Sequence, residues 1–175
     1  MPCVVADTSP LFYLATLGRL SLLRDRYGQV IAPERVWMEA LASHEANLAI
    51  RPLLESGLAA GWLVVEKTAS HMAPPDSALA ELDQGERDAL MLALALRADL
   101  VLIDEMEGRA VAEGLGLKIT GTIGILVQAK RRGLLPAVGP ELERLLRETS
   151  FYLSRRMQQI AYRMAGESEP TRPTT

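Results

Sequence analysis

The sequence predicts an α/β fold: a three-layer α/β/α sandwich with a central parallel sheet of about five strands, followed by C-terminal helices. Short, wholly apolar runs such as CVVA (3–6), WLVV (62–65) and LVLI (100–103) alternate with longer amphipathic ones. Strands apolar on both sides need cover on both faces, which is the situation of a parallel sheet between helices. Apolar residues make up 49% of the chain and aromatics only 5%, so the core must be aliphatic.

The elements follow in order. Cys3–Ala6 is the first strand and ends at Asp7. Thr8, Ser9 and Pro10 then supply a helix cap and an early-helix proline. Helices are expected over Leu11–Leu17 and Leu20–Tyr27, with Gly18 between them. Val30–Ala32 is the second strand, closed by Pro33, and Glu34–Ala42 the next helix. Leu48–Ala60 is helical up to Gly61, and Trp62–Val65 is the third strand. Residues 66–80 are polar, contain Pro74 and Pro75, and read as a loop. Gln84–Ala98 carries two apolar stripes and reads as a helix buried around much of its circumference. Leu100–Ile103 is the fourth strand, Glu105–Gly114 a helix, and Lys118–Thr120 a short fifth strand. Helices over Thr122–Arg132, Pro140–Glu148 and Tyr152–Met164 complete the fold, and the polar tail 166–175 is expected to be disordered.

Composition narrows the chemistry. One cysteine, Cys3, allows no internal disulfide and no cysteine zinc site, and fits a reducing compartment. No basic segment leads into an apolar run at the N-terminus, and no run reaches the ~20 residues of a membrane helix, so a cytoplasmic protein is expected. Gly108, Gly121 and Gly124 form no dinucleotide fingerprint and no Walker sequence is present, so no nucleotide cofactor is expected. DTSP (7–10) lacks the second Asp of a haloacid-dehalogenase-like phosphatase. His44 and His71 lie in polar stretches and read as surface residues. Net charge is −3, but residues 1–120 hold 10 basic and 17 acidic side chains while residues 121–165 hold 8 and 3. An acidic body beside a basic C-terminal third is the distribution of a metal site flanked by a polyanion-facing surface.

Topology gathers several acids. Ligands of parallel α/β sheets bind outside the carboxyl ends of the strands. Asp7 follows the first strand and Asp104 the fourth, while Glu86 and Asp88 occupy the opening turns of a helix that starts at that rim. Glu39 sits within two turns of Pro33 among Val36, Trp37, Met38, Ala40 and Leu41, where a lone acid points to a partner or an ion. Helix-dipole complementation accounts for Glu86 or Asp88 singly, but poorly for Asp7 and Asp104 together. A carboxylate cluster calls for a hard divalent cation, Mg²⁺ or Mn²⁺, which can activate water against a phosphodiester. Glu105 and Glu107 could extend the cluster but read rather as exposed helix charge. Arg109 reads as a rim cation that can instead pair with Glu105 or Glu113, and Lys130–Arg132 as backbone grip or a helix C-terminus.

The segments VVADTSPLFYL (4–14), IAPERVWMEAL (31–41), LDQGERDALMLALAL (82–96), ADLVLIDEMEGRAVAEGLGLKITGT (98–122) and GILVQAKRRGLL (124–135), in this order and spacing, resemble a PIN domain. The likeness is to VapC-like toxin ribonucleases and is nearest to a subfamily with a Gly-Glu pair, an Ile-Asp pair and a Gly-Thr…Gly segment. It implies a PIN-like nuclease domain over 1–150, a C-terminal helix over 151–165 and a tail over 166–175. By the same likeness Asp7, Glu39 and Asp104 match family acids. The remaining acid is Glu86 by the Gly-Glu pair or Asp88 by the Asp-Ala-Leu pattern. Thr8 or Ser9 matches the hydroxyl beside the first acid. Asp7, Glu39, Glu86 and Asp104 are then the expected metal ligands, and Ser9, Arg109 and Lys130 the expected substrate contacts. The implied activity is a metal-dependent endoribonuclease, the toxin of a toxin–antitoxin pair, with RNA as substrate, a small antitoxin as partner and a homodimer as assembly. The other class of function is a non-catalytic PIN-like module that binds RNA or a protein.

Overall fold

The structure, a computed structural model, describes residues 1–42, 47–67 and 77–169. His44 and His71, most of the 66–80 loop and residues 170–175 of the expected tail lie outside the described residues. The chain divides into two compact units, Met1–Thr122 and Ile123–Thr175.

Unit 1 holds the sheet. Its strands are β1 (Val4–Ala6), β2 (Val30–Pro33), β3 (Leu63–Glu66), β4 (Leu100–Leu102) and β5 (Ile119–Thr120). They lie in the order β3-β2-β1-β4-β5, every neighbouring pair parallel. With flanking helices this is the α/β/α sandwich that the apolar strands predict. β1 is central and fully buried, as its run of apolar residues requires. In the β1–β4 register, Val4, Val5 and Ala6 stand beside Leu100, Val101 and Leu102.

The helices of unit 1 are α1 (Thr8–Thr16), α2 (Ser21–Tyr27), α3 (Glu34–Ala42), α4 (Asn47–Ala59), α5 (Ser77–Glu81), α6 (Gln84–Leu96) and α7 (Met106–Gly114). Two differences from expectation bear on the site and the loop. Asp7, not Thr8 or Ser9, is the N-cap of α1, so Thr8 opens the helix. Ser77–Glu81 forms a helical turn that buries Leu79 inside the segment read as loop. α6 ends at Arg97 in the left-handed region (φ 50°), the only described non-glycine residue there. Among the described residues no helix is long and apolar enough to cross a membrane.

Unit 2 carries the rest of α8 (Thr122–Arg131), α9 (Gly139–Glu148) and α10 (Arg155–Ala165). Leu142, Ala161 and Tyr162 form a small core with Ile123, Leu146, Phe151 and Leu153. Glu167, placed by the sequence in the polar tail, is instead anchored. Its carboxylate accepts from Lys130 Nζ at 2.7 Å and from the backbone N–H groups of Val138 and Gly139 at 2.7 and 2.8 Å. These amides open α9, so Glu167 fills the role of a cap supplied from a distant part of the chain.

Candidate active site

The carboxyl end of β1 fixes the first acid. The Asp7 amide donates to the Leu102 carbonyl at 2.9 Å, extending the β1–β4 pairing by one residue, and its side chain is only 3% exposed. Beside it lies a cleft of about 120 Å³ lined by Asp7, Thr8, Ser9, Glu39, Asp83, Gly85, Glu86 and Glu105. The cleft thus brings Asp7, Glu39 and Glu86 together. Asp88 and Asp104 are not among the lining residues. Two other acids are: Asp83, which the sequence does not single out, and Glu105, which reads there as exposed helix charge.

Strand alternation explains the exchange of Asp104 for Glu105. Side chains along extended chain alternate between faces. Val5 stands beside Val101, so Asp7 shares its parity with Ile103 and Glu105, while Asp104 belongs to the opposite set. Glu105 is still extended (φ −67°, ψ 134°) and caps α7. The expectation that Glu105 and Glu107 are both exposed helix charge therefore holds only for Glu107.

Glu86 is 7% exposed, in the first turn of α6. Asp88, two residues on, turns elsewhere and pairs with Arg35 at 3.3 Å. Residues two apart on a helix do not share a face. Glu39 is an exposed residue of α3 rather than a buried acid among apolar neighbours, and Thr8 Oγ1 donates to its Oε2 at 2.9 Å. Ser9 Oγ donates to Glu105 Oε1 in a short hydrogen bond. Consecutive hydroxyls thus hold carboxylates from two different helices.

Glycines make room for the acids. A Cβ on Gly85 would lie 2.4 Å from Glu39 Oε2, and one on Gly108 would lie 2.8 Å from Glu86 Oε1. A Cβ on Gly121 would lie 2.5 Å from Asp104 Oδ1.

The electrostatics are unfavourable without a counter-charge. Burial pushes the Asp7 carboxyl well above its ordinary range, and the neighbouring charges of Glu105 and Glu86 add to this. Burial, then the charges of Glu105 and Asp83, lift Glu86 to about 7. Glu86 Oε1 and Glu105 Oε2 are buried with no hydrogen-bond donor among the described residues. Orphaned carboxylate oxygens in a cleft of like charge fit a hard cation. No three His, Cys, Asp or Glu side chains among the described residues already close on a single point.

Asp104 is a different kind of residue. Its Oδ1 accepts from the Thr122 amide at 2.8 Å and its Oδ2 from Thr122 Oγ1 at 2.6 Å. Burial raises it to about 6 even against these two bonds. Arg109 donates to the Ile103 carbonyl at 3.0 Å rather than pairing with Glu105 or Glu113. Lys130 is held by Glu167.

A family model described as a PIN domain matches residues 3–167. No curated protein matches the chain. PIN domains are in general metal-dependent nucleases. A match across nearly the whole chain, on a parallel five-stranded sheet with an acidic cleft at the carboxyl end of β1, means that this protein belongs to the PIN-domain family.

Proposed function

We propose that the protein is a metal-dependent endoribonuclease that works through four of its cleft acids, Asp7, Glu86, Glu105 and Glu39. The observation that carries this reading is the pair of donor-less buried oxygens, Glu86 Oε1 and Glu105 Oε2, beside the buried Asp7. A structural role would place a donor on each, since an unpaired buried charge is costly. Mg²⁺ or Mn²⁺ would be held by Asp7, Glu86 and Glu105, with Glu39 at the mouth. Bound there, such an ion supplies Lewis acidity and a water of lowered pKa at the phosphodiester.

The chain's own residues do the rest. Thr8 and Ser9 orient Glu39 and Glu105 by hydrogen bonds, so the negative wall is preset before substrate arrives. Glu86, raised to about 7 without a counter-charge, gives up that proton when a cation takes its Oε1. Ser9 in this reading serves Glu105 before it serves substrate. Arg109 gives one donor to the Ile103 carbonyl and Lys130 bonds Glu167, so any grip they take on a phosphate uses their remaining donors. Within the family, PIN nucleases act on RNA and often pair with antitoxins. On that ground RNA is the substrate proposed here, and a toxin masked by a small antitoxin, acting as a homodimer, is the biological setting.

The test is cleavage of a labelled single-stranded RNA by purified protein with Mn²⁺, Mg²⁺ or EDTA, beside Asp7→Asn. Cutting that needs the metal and is lost in the variant is expected. Equal cutting by parent and variant would overturn the reading. RNA binding that survives both chelator and substitution, without cutting, would instead mark a binding module.

A further inference from the structure

We propose that Asp104 is a positioning residue that acts through Thr122 to hold Glu105 toward the cleft, and is not itself a ligand of the metal. The observations are local to the end of β4. Both Asp104 oxygens are taken by one residue, the Thr122 amide and the Thr122 hydroxyl. Gly121 leaves no space for a Cβ beside Oδ1, so the carboxylate is enclosed on that side by backbone. Asp104 is absent from the cleft lining that its neighbour Glu105 joins.

The turn is also pinned at three of its backbone groups. The Ile103 amide donates to the Thr120 carbonyl at 2.9 Å, and the Ile103 carbonyl accepts from Arg109 Nη1 at 3.0 Å. The Glu105 carbonyl accepts from the Arg109 amide at 2.9 Å. Asp104 completes this set. Residues 103 and 105 are held by these backbone bonds and residue 104 by its side chain. Alternation then sends the Glu105 side chain to the face that Asp7 occupies. An acid displaced by about 1 Å from a working geometry can cost on the order of a hundredfold in rate. A carboxylate fastened by two hydrogen bonds is also a poor candidate for ligation, since both bonds must break before it can turn to an ion.

This inference rests on the nuclease reading for its kinetic and Mn²⁺ arms, and not for its resonance arm. The experiment compares Asp104→Asn, Thr122→Val, Thr122→Ser and Glu105→Gln in the full chain. Mn²⁺ affinity is measured by electron paramagnetic resonance, cleavage by kcat and KM, and the Glu105 side-chain carboxyl by its ¹³C resonance in the metal-free protein. Glu105→Gln is expected to lose Mn²⁺ affinity by about tenfold or more. Asp104→Asn and Thr122→Val are expected to keep Mn²⁺ affinity within about threefold and lower kcat by about tenfold with KM little changed. Both should move the Glu105 resonance, Thr122→Ser should leave all three readouts at the parent values, and Asp104→Asn/Thr122→Val should be no worse than either single variant.

Loss of Mn²⁺ affinity in Asp104→Asn as large as that in Glu105→Gln would overturn the proposal and make Asp104 a ligand. An unmoved Glu105 resonance in both Asp104→Asn and Thr122→Val would overturn it as well. If Asp104→Asn does not fold, Thr122→Val and Thr122→Ser carry the same comparison. If the parent neither binds Mn²⁺ nor cuts RNA, the nuclease reading falls, and the resonance still decides whether Asp104 positions Glu105.

Discussion

Glu86 and Asp88 stand two residues apart on α6 and meet opposite surroundings. Glu86 is buried against the charges of Glu105 and Asp83, whereas Asp88 has the Arg35 guanidinium at 3.3 Å. Glu86→Gln is therefore expected to abolish metal-dependent cleavage and, in EDTA at pH 8, to raise stability by on the order of 1 kcal/mol, because a disfavoured charge is removed. Asp88→Asn should cost no more than about 1 kcal/mol, the worth of a partly exposed ion pair, and keep cleavage. Urea unfolding beside an RNA assay checks both, and a dead Asp88→Asn with an active Glu86→Gln would reverse the assignment. The sequence alone could not separate these two, since the Gly-Glu pair and the Asp-Ala-Leu pattern each select one. It also selects Asp104 over Glu105, which it reads as exposed helix charge. Both follow the same strand, and only the Val5–Val101 register tells which one shares a face with Asp7.

Among the elements, α6 and α7 approach the acids through glycine, and the two glycines differ in what a methyl group would meet. At Gly85 the nearest atom is the tip of Glu39, a flexible and exposed side chain. Gly85→Ala should fold with stability unchanged or up by as much as ~1 kcal/mol, the helix gain of Ala over Gly, while cleavage falls because Glu39 is displaced. At Gly108 the methyl would lie 2.5 Å from Ile103 Cδ1 as well as 2.8 Å from Glu86, both buried. Gly108→Ala should cost about 1–3 kcal/mol by overpacking. Thermal unfolding of the two variants should show this difference, and equal losses would refute it. In unit 2 the Glu167 carboxyl is pushed up by burial but pulled below its ordinary value by Lys130 and the Val138 and Gly139 amides. Glu167→Ala leaves those donors short of an acceptor and is expected to cost about 1–3 kcal/mol by urea unfolding. A change under ~0.3 kcal/mol would show that water replaces it.

The periodic segments make most of the elements legible, because apolar strands and amphipathic stripes are local signals. Glu167 is not legible in this way. Its role depends on α9 and Lys130 being brought beside it, and in the sequence it is one polar residue in a polar tail. Thr8 and Ser9 read as a cap because that is their commonest use after a strand, but Asp7 takes the cap position and frees both hydroxyls for acids of other helices.

At the scale of the molecule the raised carboxyls act together. Glu86 at about 7, Asp104 at about 6 and the elevated Asp7 all exceed their unfolded values near ~4. The folded chain then binds more protons than the unfolded chain between pH ~4 and ~7, so stability falls as pH rises through that window. The metal-free protein should have a higher urea midpoint at pH 5.5 than at pH 8, and Mn²⁺ should restore the midpoint at pH 8 by binding the folded state. A midpoint flat across the window in EDTA would mean that the cluster does not repel itself.

Ser9 and Glu105 touch although 96 residues separate them, and β1 can complete its pairing only with a strand from that same distant stretch. A ribosome adding ~5–20 residues per second needs ~5–20 s to travel from one to the other. Throughout that interval Asp7 and Glu39 lack Glu86 and Glu105 beside them, and the cleft has no far wall. The cleft is completed late in synthesis, when the far half of unit 1 has left the exit tunnel and β4 pairs beside β1.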